Sequence, residues 1–312
     1  MDPNASCSRP TRVTTTPDDP DRLLRRGDAQ AAGITDRHLM SRVRSGELIR
    51  LRPGVYAADM ERTPESMHRL EILATEHHLL TVSHRSAAVL HGLRMLKADL
   101  SRIDVSSGSR SGGRIHPTRH IHSGLLDADD VVIVDGVAVT SLERTAADVA
   151  CMGDFDRALV VLDSALRAGA DCDAIGEILA RRRRRGVSTA RIALSVADRN
   201  AESVGESWSR AQMITARLPL PRLQDGRVIR GRRVITDFDW DRQLVGEFDG
   251  HIKYGRLLRP GQTVVDVVAD EKAREDLLRW DGSMVLRWVW SDLERRRVVG
   301  IVAPWLHRLG LM

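Results

Sequence analysis

The chain has 312 residues, too many for one ordinary hydrophobic core, so two or three domains are expected. Hydrophobic residues make up 42% and charged residues 29%, the balance of a soluble globular protein, and no apolar run approaches the ~18 residues that a membrane-spanning helix needs. The net charge of +5 and the pI near 9.6 permit a polyanionic partner, while Cys7, Cys151 and Cys172 stand too far apart for a disulfide framework or a CxxC zinc site.

Residues 1–22 hold Pro, Thr, Ser and Asp without an apolar segment. They read as a disordered tail and not a signal peptide, which points to the cytoplasm. Residues 23–65 read as a winged helix-turn-helix. Gly33 breaks a first helical pattern, and Thr35 or Asp36 can cap a second helix over about Arg37 to Ser45, with Leu39 and Val43 on its inner face. Its outer face carries Arg37, His38, Arg42 and Arg44, and Gly46 stops it. Leu48 to Tyr56 then reads as strand, Pro53-Gly54 turn and strand, a wing bearing Arg50 and Arg52. A helix in this position reads base edges in the major groove while the wing touches backbone or minor groove. A solvated basic face is the plain alternative.

Residues 66–195 read as a mixed α/β region. Helical patterns run over Leu70 to Leu80, Ser86 to Leu93, Leu142 to Met152, Phe155 to Gly169 and Asp173 to Arg184, and strands over Arg102 to Ser106 and Val131 to Val134. Ser83-His84-Arg85-Ser86 suggests nucleophile and base, but neighbours in sequence seldom reach that geometry, so Ser83 is expected to cap a helix and His84 to sit at a domain interface. His116, His120 and His122 imitate a metal site, with His120 and His122 on one strand face. No carboxylate or cysteine of suitable spacing joins them, so a surface strand is expected. The stretch Arg181 to Ala201, opening with five arginines, reads as a linker. The arginines suit either a helix C-terminus or a phosphate-contacting strip.

Residues 196–312 give a helix through Trp208 and Ile214, extended stretches at Leu223 to Ile229, Arg232 to Trp240 and Gln243 to Asp249, a helix at about Asp270 to Trp280, a strand at Met284 to Trp290 and a closing helix. Alternation puts Asp237 with Asp239, and Glu247 with Asp249, on common sheet faces. Glu202 and Glu206 share a helix face. Carboxylates on adjacent strands can hold one or two Mg²⁺ ions, which activate water and neutralise charge on phosphate, and a nearby lysine such as Lys253 can position water or stabilise the developing charge. Solvated acids at strand ends are the plain alternative. Trp280, Trp288, Trp290 and Trp305 read as core and not as base-stacking platforms.

Two resemblances sharpen these readings. The run from Gly33-Ile34-Thr35 through Pro53-Gly54-Val55-Tyr56, with Ser83-His84-Arg85-Ser86-Ala87-Ala88, His91-Gly92-Leu93 and Val139 to Asp148, resembles type IV abortive-infection antitoxins over residues 23–150. That resemblance implies a winged helix on operator DNA, repression of its own operon and a cognate toxin protein. Ala201-Glu202-Ser203-x-Gly205-Glu206-Ser207, the Asp237 strand, Glu247-Phe248-Asp249-Gly250, Glu271-Lys272-x-Arg274-Glu275-Asp276 and Val285 to Trp290 with Asp292 resemble the very-short-patch-repair-like branch of the PD-(D/E)xK superfamily. That one implies an αβββαβ restriction-endonuclease-like domain, a Mg²⁺ (or Mn²⁺) cofactor held by Asp237 and Glu247, and Glu206 or Glu202 as supporting acid. The place of the usual lysine holds Asp249, so Lys253 or Lys272 would supply the cation. The expected protein is therefore α/β in the multidomain α+β sense. It binds double-stranded DNA and either hydrolyses it or acts as a repressor or antitoxin with an inactive nuclease-like domain, and it has no membrane partner.

Overall fold

The structure, a computed structural model, describes residues 23–77, 79–110, 112–181, 185–250 and 264–312. The tail expected over residues 1–22 and Lys253 lie outside them. The chain divides into two compact units, Met1–Leu79 and Leu80–Met312.

In the first unit, β1 (Leu24–Arg25) leads into α1 (Arg26–Ala31), α2 (Asp36–Arg44), β2 (Leu48–Arg52), β3 (Val55–Ala58) and α3 (Pro64–Leu73). The Thr35 hydroxyl accepts the His38 N–H at 3.3 Å and caps α2. Gly54, at φ +78°, turns the hairpin, and the sheet order is β1-β3-β2. Ala29, Leu39, Leu48 and Tyr56 form the core of this helix-turn-helix and wing. Helix α3 starts earlier than the apolar density of Leu70 to Leu80 suggests. Thr63 caps it and Pro64 occupies its first turn, and both are start signals stronger than periodicity.

The second unit holds two sheets. The first contains β4 (Thr81–Val82), β5 (Ile103–Ser106), β6 (Arg114–Ile115), β7 (Arg119–His122), β8 (Val131–Val134) and β9 (Val137–Thr140), ordered β6-β7-β5-β4-β9-β8. Around it lie α4 (His84–Leu90), α5 (Leu142–Ala150), α6 (Phe155–Arg167), α7 (Cys172–Ala180) and α8 (Val187–Leu194). The last of these falls inside the stretch read as a linker. Its Val187, Ala190 and Ala193 are buried, so apolar residues at helical spacing override the arginine run before it.

Next come α9 (Val204–Thr215), β10 (Arg222–Ile229), β11 (Arg232–Trp240), β12 (Leu244–Asp249), α10 (Val264–Trp280), β13 (Met284–Val289), α11 (Trp290–Glu294) and α12 (Val298–Arg308). The second sheet is ordered β10-β11-β12-β13, with β12 antiparallel to β11 and parallel to β13. Residues of α5, α6, α8, α9, the second sheet and α12 share one apolar core, from Ala146 and Leu159 to Phe238, Trp288 and Leu306. Buried polar ties cross it. Asp163 accepts Arg210 at 2.8 Å, and the indole N–H of Trp208 donates to Asp156 at 2.9 Å. Helix α9 runs close over β12: a Cβ on Gly205 would stand 1.9 Å from the Phe248 ring.

The tryptophans divide. Trp288 is fully buried and donates to Ser209, while Trp290 and Trp305 are half-buried. Trp280 departs from the core expectation. It is 59% exposed, and the Arg230 guanidinium lies over its ring at 3.8 Å.

Candidate functional site

Two assemblies gather the residues singled out in sequence. In the first unit, Leu39 seats α2 on the core and turns the opposite side of the helix outward, where Arg37, His38 and Arg44 are exposed. Arg50 is exposed on β2, and Arg52 is half-buried beside the turn. Arg42 is committed elsewhere: its Nε donates to Glu47 at 3.1 Å, which also accepts Ser45 Oγ, so this arginine fastens the end of α2 to the entry of the wing. Arg26 and Asp36 are paired at the opposite end of the helix, through Nε at 2.7 Å.

In the second unit the acids line up across the sheet. Leu223 pairs with Phe238 and Asp225 with Thr236, so Gln224 lies opposite Asp237. The β11–β12 register, with Phe238 on Gly246 and Asp239 on Val245, continues to set Asp237 opposite Glu247, and Glu247 pairs with Arg287 in parallel register. Residues opposite one another share a face, so Gln224, Asp237, Glu247 and Arg287 form one row over four strands. Helix α9 adds Glu206 above it, where Gln224 Nε2 donates to Glu206 at 3.1 Å. Helix α10 adds Arg274, whose guanidinium contacts both Glu247 oxygens at 3.2 and 2.5 Å and the Ile235 carbonyl at 2.9 Å.

Burial governs the charges of this row. Glu247 is pushed up to about 7, first by loss of water and then by Asp237, against the opposing pull of Arg274. Burial also raises Asp237, countered by the Phe248 N–H that its carboxylate accepts at 2.9 Å. Glu206 is raised for the same reason, while it accepts the Glu202 N–H at 2.8 Å as part of the helix start. The remaining residues singled out in sequence stand apart. Asp249 faces Arg287 at 3.4 Å, Glu202 is exposed and pairs with Arg167 at 2.9 Å, and Lys272 is exposed. Asp239 does not join Asp237: it is buried and accepts the Arg242 N–H at 2.7 Å.

The oxygen donors of this row are the type that Mg²⁺ and Mn²⁺ take. Their arrangement does not gather them around one ion: Arg274 holds Glu247, while Asp237 and Glu206 each accept a backbone N–H. Among the described residues, the one group of three ligand atoms within 4.8 Å of one another is at Asp104, His120 and His122. Sequence reading passed over Gln224 and Arg287 as partners of the acids, and the signal was there in part, since both fall in alternating strands one register step from Asp237 and Glu247.

Comparison with known proteins bears on the first assembly. Residues 21–58 match the family model described as a transcriptional regulator, the AbiEi antitoxin, a segment that takes in β1 through β3. The chain is 29% identical over 289 residues to the uncharacterized proteins MT2308 and Rv2248 of Mycobacterium tuberculosis, strains CDC 1551 / Oshkosh and H37Rv. The match spans 86% of this chain and 100% of each relative. Among solved structures, the crystal structure of the RV2827C protein from Mycobacterium tuberculosis aligns with a TM-score of 0.36 at 15% identity, over 66% of this chain and 83% of that one. No helix among the described residues is long and apolar enough to cross a membrane.

Proposed function

We propose that the chain is a transcriptional regulator that binds double-stranded DNA through α2 and the β2–β3 wing. One observation carries this reading: the segment matched to transcriptional regulators is the segment that presents Arg37, His38 and Arg44 on the outer side of a capped helix, next to Arg50 on the wing. Such a helix fits the major groove, where arginine pairs with guanine or phosphate. Arg42 serves the fold of the corner through Glu47. The test is fluorescence anisotropy on the DNA upstream of the protein's own gene. Arg37→Ala and Arg44→Ala each weaken binding by about 1–3 kcal/mol, roughly five- to a hundredfold, and binding falls steeply with salt. Unchanged affinity in both variants refutes the reading. A cognate toxin protein is the partner that the antitoxin match suggests. The check is whether this chain relieves growth arrest caused by an adjoining gene product.

A second reading, Mg²⁺-dependent hydrolysis of DNA phosphodiester bonds, is favoured by the row of half-buried Gln224 and Asp237 and buried Glu247 under Glu206. Asp237 and Glu247 would hold the ion once Arg274 is displaced from Glu247, and Arg274 and Arg287 are the described cations beside the row. Supercoiled plasmid incubated with Mg²⁺, Mn²⁺ or EDTA tests it: metal-dependent nicking by the wild type and none by Glu247→Ala is the expected result. Equal nicking by both proteins refutes it.

A further inference from the structure

The histidines of β7, expected to be an ordinary surface strand, meet a carboxylate that sequence spacing did not reveal. Strands β5 and β7 pair in parallel with Asp104 opposite His120, and His122 follows two residues on, on the same face. Asp104 is fully buried. Its Oδ1 lies 2.8 Å from His122 Nε2 and 3.4 Å from His120 Nδ1. Ligand atoms around a tetrahedral ion with bonds of ~2.0–2.1 Å sit roughly 3.3 Å apart, and these three all lie within 4.8 Å of one another.

The surroundings fix the group. The Ser83-His84-Arg85-Ser86 run, considered in sequence as catalytic or capping, frames Asp104. Ser86 Oγ accepts the Asp104 N–H at 2.8 Å, and the Asp104 carbonyl accepts the Ser83 N–H at 3.0 Å. Arg85 Nε holds Oδ2 at 2.8 Å, with Nη2 farther from Oδ1 at 3.3 Å. Ser83 occupies the cap position of α4, but its hydroxyl bonds to His84 Nδ1 and accepts from Ser106, so the side chain does not cap. His84 lies within the unit with its ring stacked on His122 at 3.6 Å, and it keeps a left-handed backbone at φ +51° to do so. Asp99, 3.9 Å from Arg85, offsets part of the arginine's charge.

We propose that Asp104, His120 and His122 bind one divalent transition-metal ion of the zinc or cobalt type, leaving an open coordination position toward the groove beside Arg114 and Arg185. Two imidazoles and one carboxylate are a donor set such ions take, and three protein ligands leave room for water or an exogenous ligand. His120 and His122 line the groove together with Arg114, Ser123 and Arg185, so an anion is the ligand that the open position suits.

Titration of the full, tag-free chain with Co²⁺ tests the site. One equivalent is expected to produce a saturable d–d absorption band without a thiolate charge-transfer band. His120→Ala and His122→Ala each weaken binding at least tenfold. His120 is partly exposed, so its variant is expected to melt like the metal-free wild type, which separates a lost ligand from lost folding. Absence of a saturable band at one equivalent overturns the proposal, as does a band that survives both histidine substitutions or one that carries thiolate character.

Discussion

Replacing Glu247 by Gln tests whether the acidic row is held under strain by burial. In the folded protein its carboxyl is raised from 4.5 to about 7. Below the unfolded value both states carry the proton and the group costs nothing. Between about 4.5 and 7 the unfolded chain releases its proton while the folded chain keeps it, so stability falls as pH rises through this window. Above it the full cost applies: a shift of ~2.5 units at ~1.4 kcal/mol each, about 3 kcal/mol. Glutamine keeps the shape and cannot ionise. The stability of Glu247→Gln relative to wild type therefore climbs by about 3 kcal/mol between pH 4.5 and pH 8. Urea denaturation of both proteins at constant ionic strength measures the difference. A difference that is flat with pH, or that favours the wild type at pH 8, refutes the reasoning. In the hydrolytic reading, Mg²⁺ at pH 8 additionally stabilises the wild type and not the variant.

Three further substitutions probe what holds the sites in place. Gly205→Ala drives a methyl group into the Phe248 ring where α9 crosses β12, and is expected to lower stability by about 1–3 kcal/mol in urea denaturation. Asp163→Ala leaves the Arg210 guanidinium buried without its carboxylate, and about 3–5 kcal/mol of stability is expected to go, read as a lower thermal midpoint. Leu39→Ala removes the fully buried anchor of α2, at a cost of about 2–5 kcal/mol to the first unit. DNA affinity is expected to fall although no basic side chain has changed.

Much of the fold was legible because it rests on local signals. The outward arginines of α2, the Gly54 turn and the strands at Arg232–Trp240 and Leu244–Asp249 follow from caps, glycines and alternation within a few residues. Helix α3 was misplaced because a Thr-Pro start outweighs apolar density, and α8 because five arginines drew attention from the apolar spacing of Val187, Ala190 and Ala193. The sites were legible only in part, since both are made by strand register. The Arg230-Gly231 turn sets Gln224 opposite Asp237 only once the hairpin register is known, and nothing local says that Asp104 stands beside His120 across fifteen intervening residues. The same limit explains why His116, His120 and His122 looked bare of a carboxylate, and why Ser83 looked like a cap when its hydroxyl is turned toward His84 and Ser106.

Three positive partners compete for Glu247, and the competition decides what the acidic row does. A proton occupies it over much of the range below pH 7, and Arg274 holds it from α10 with both oxygens engaged. A divalent ion would have to outbid both, drawing Asp237 away from the Phe248 N–H and releasing Arg274 toward solvent, where that side chain already reaches 33% exposure. At the Asp104 group an ion must displace the hydrogen bond between His122 Nε2 and the Asp104 carboxylate at 2.8 Å. Arg85 anchors mainly through the carboxylate oxygen turned away from the two imidazoles, and Asp99 shares its charge. On donor chemistry and on what must be displaced, a nitrogen-preferring ion at Asp104 requires less rearrangement than an oxygen-preferring ion at Glu247. The two proposed sites therefore make different demands: the Asp104 group needs a proton and a hydrogen bond removed, and the Glu247 row needs an ion pair broken.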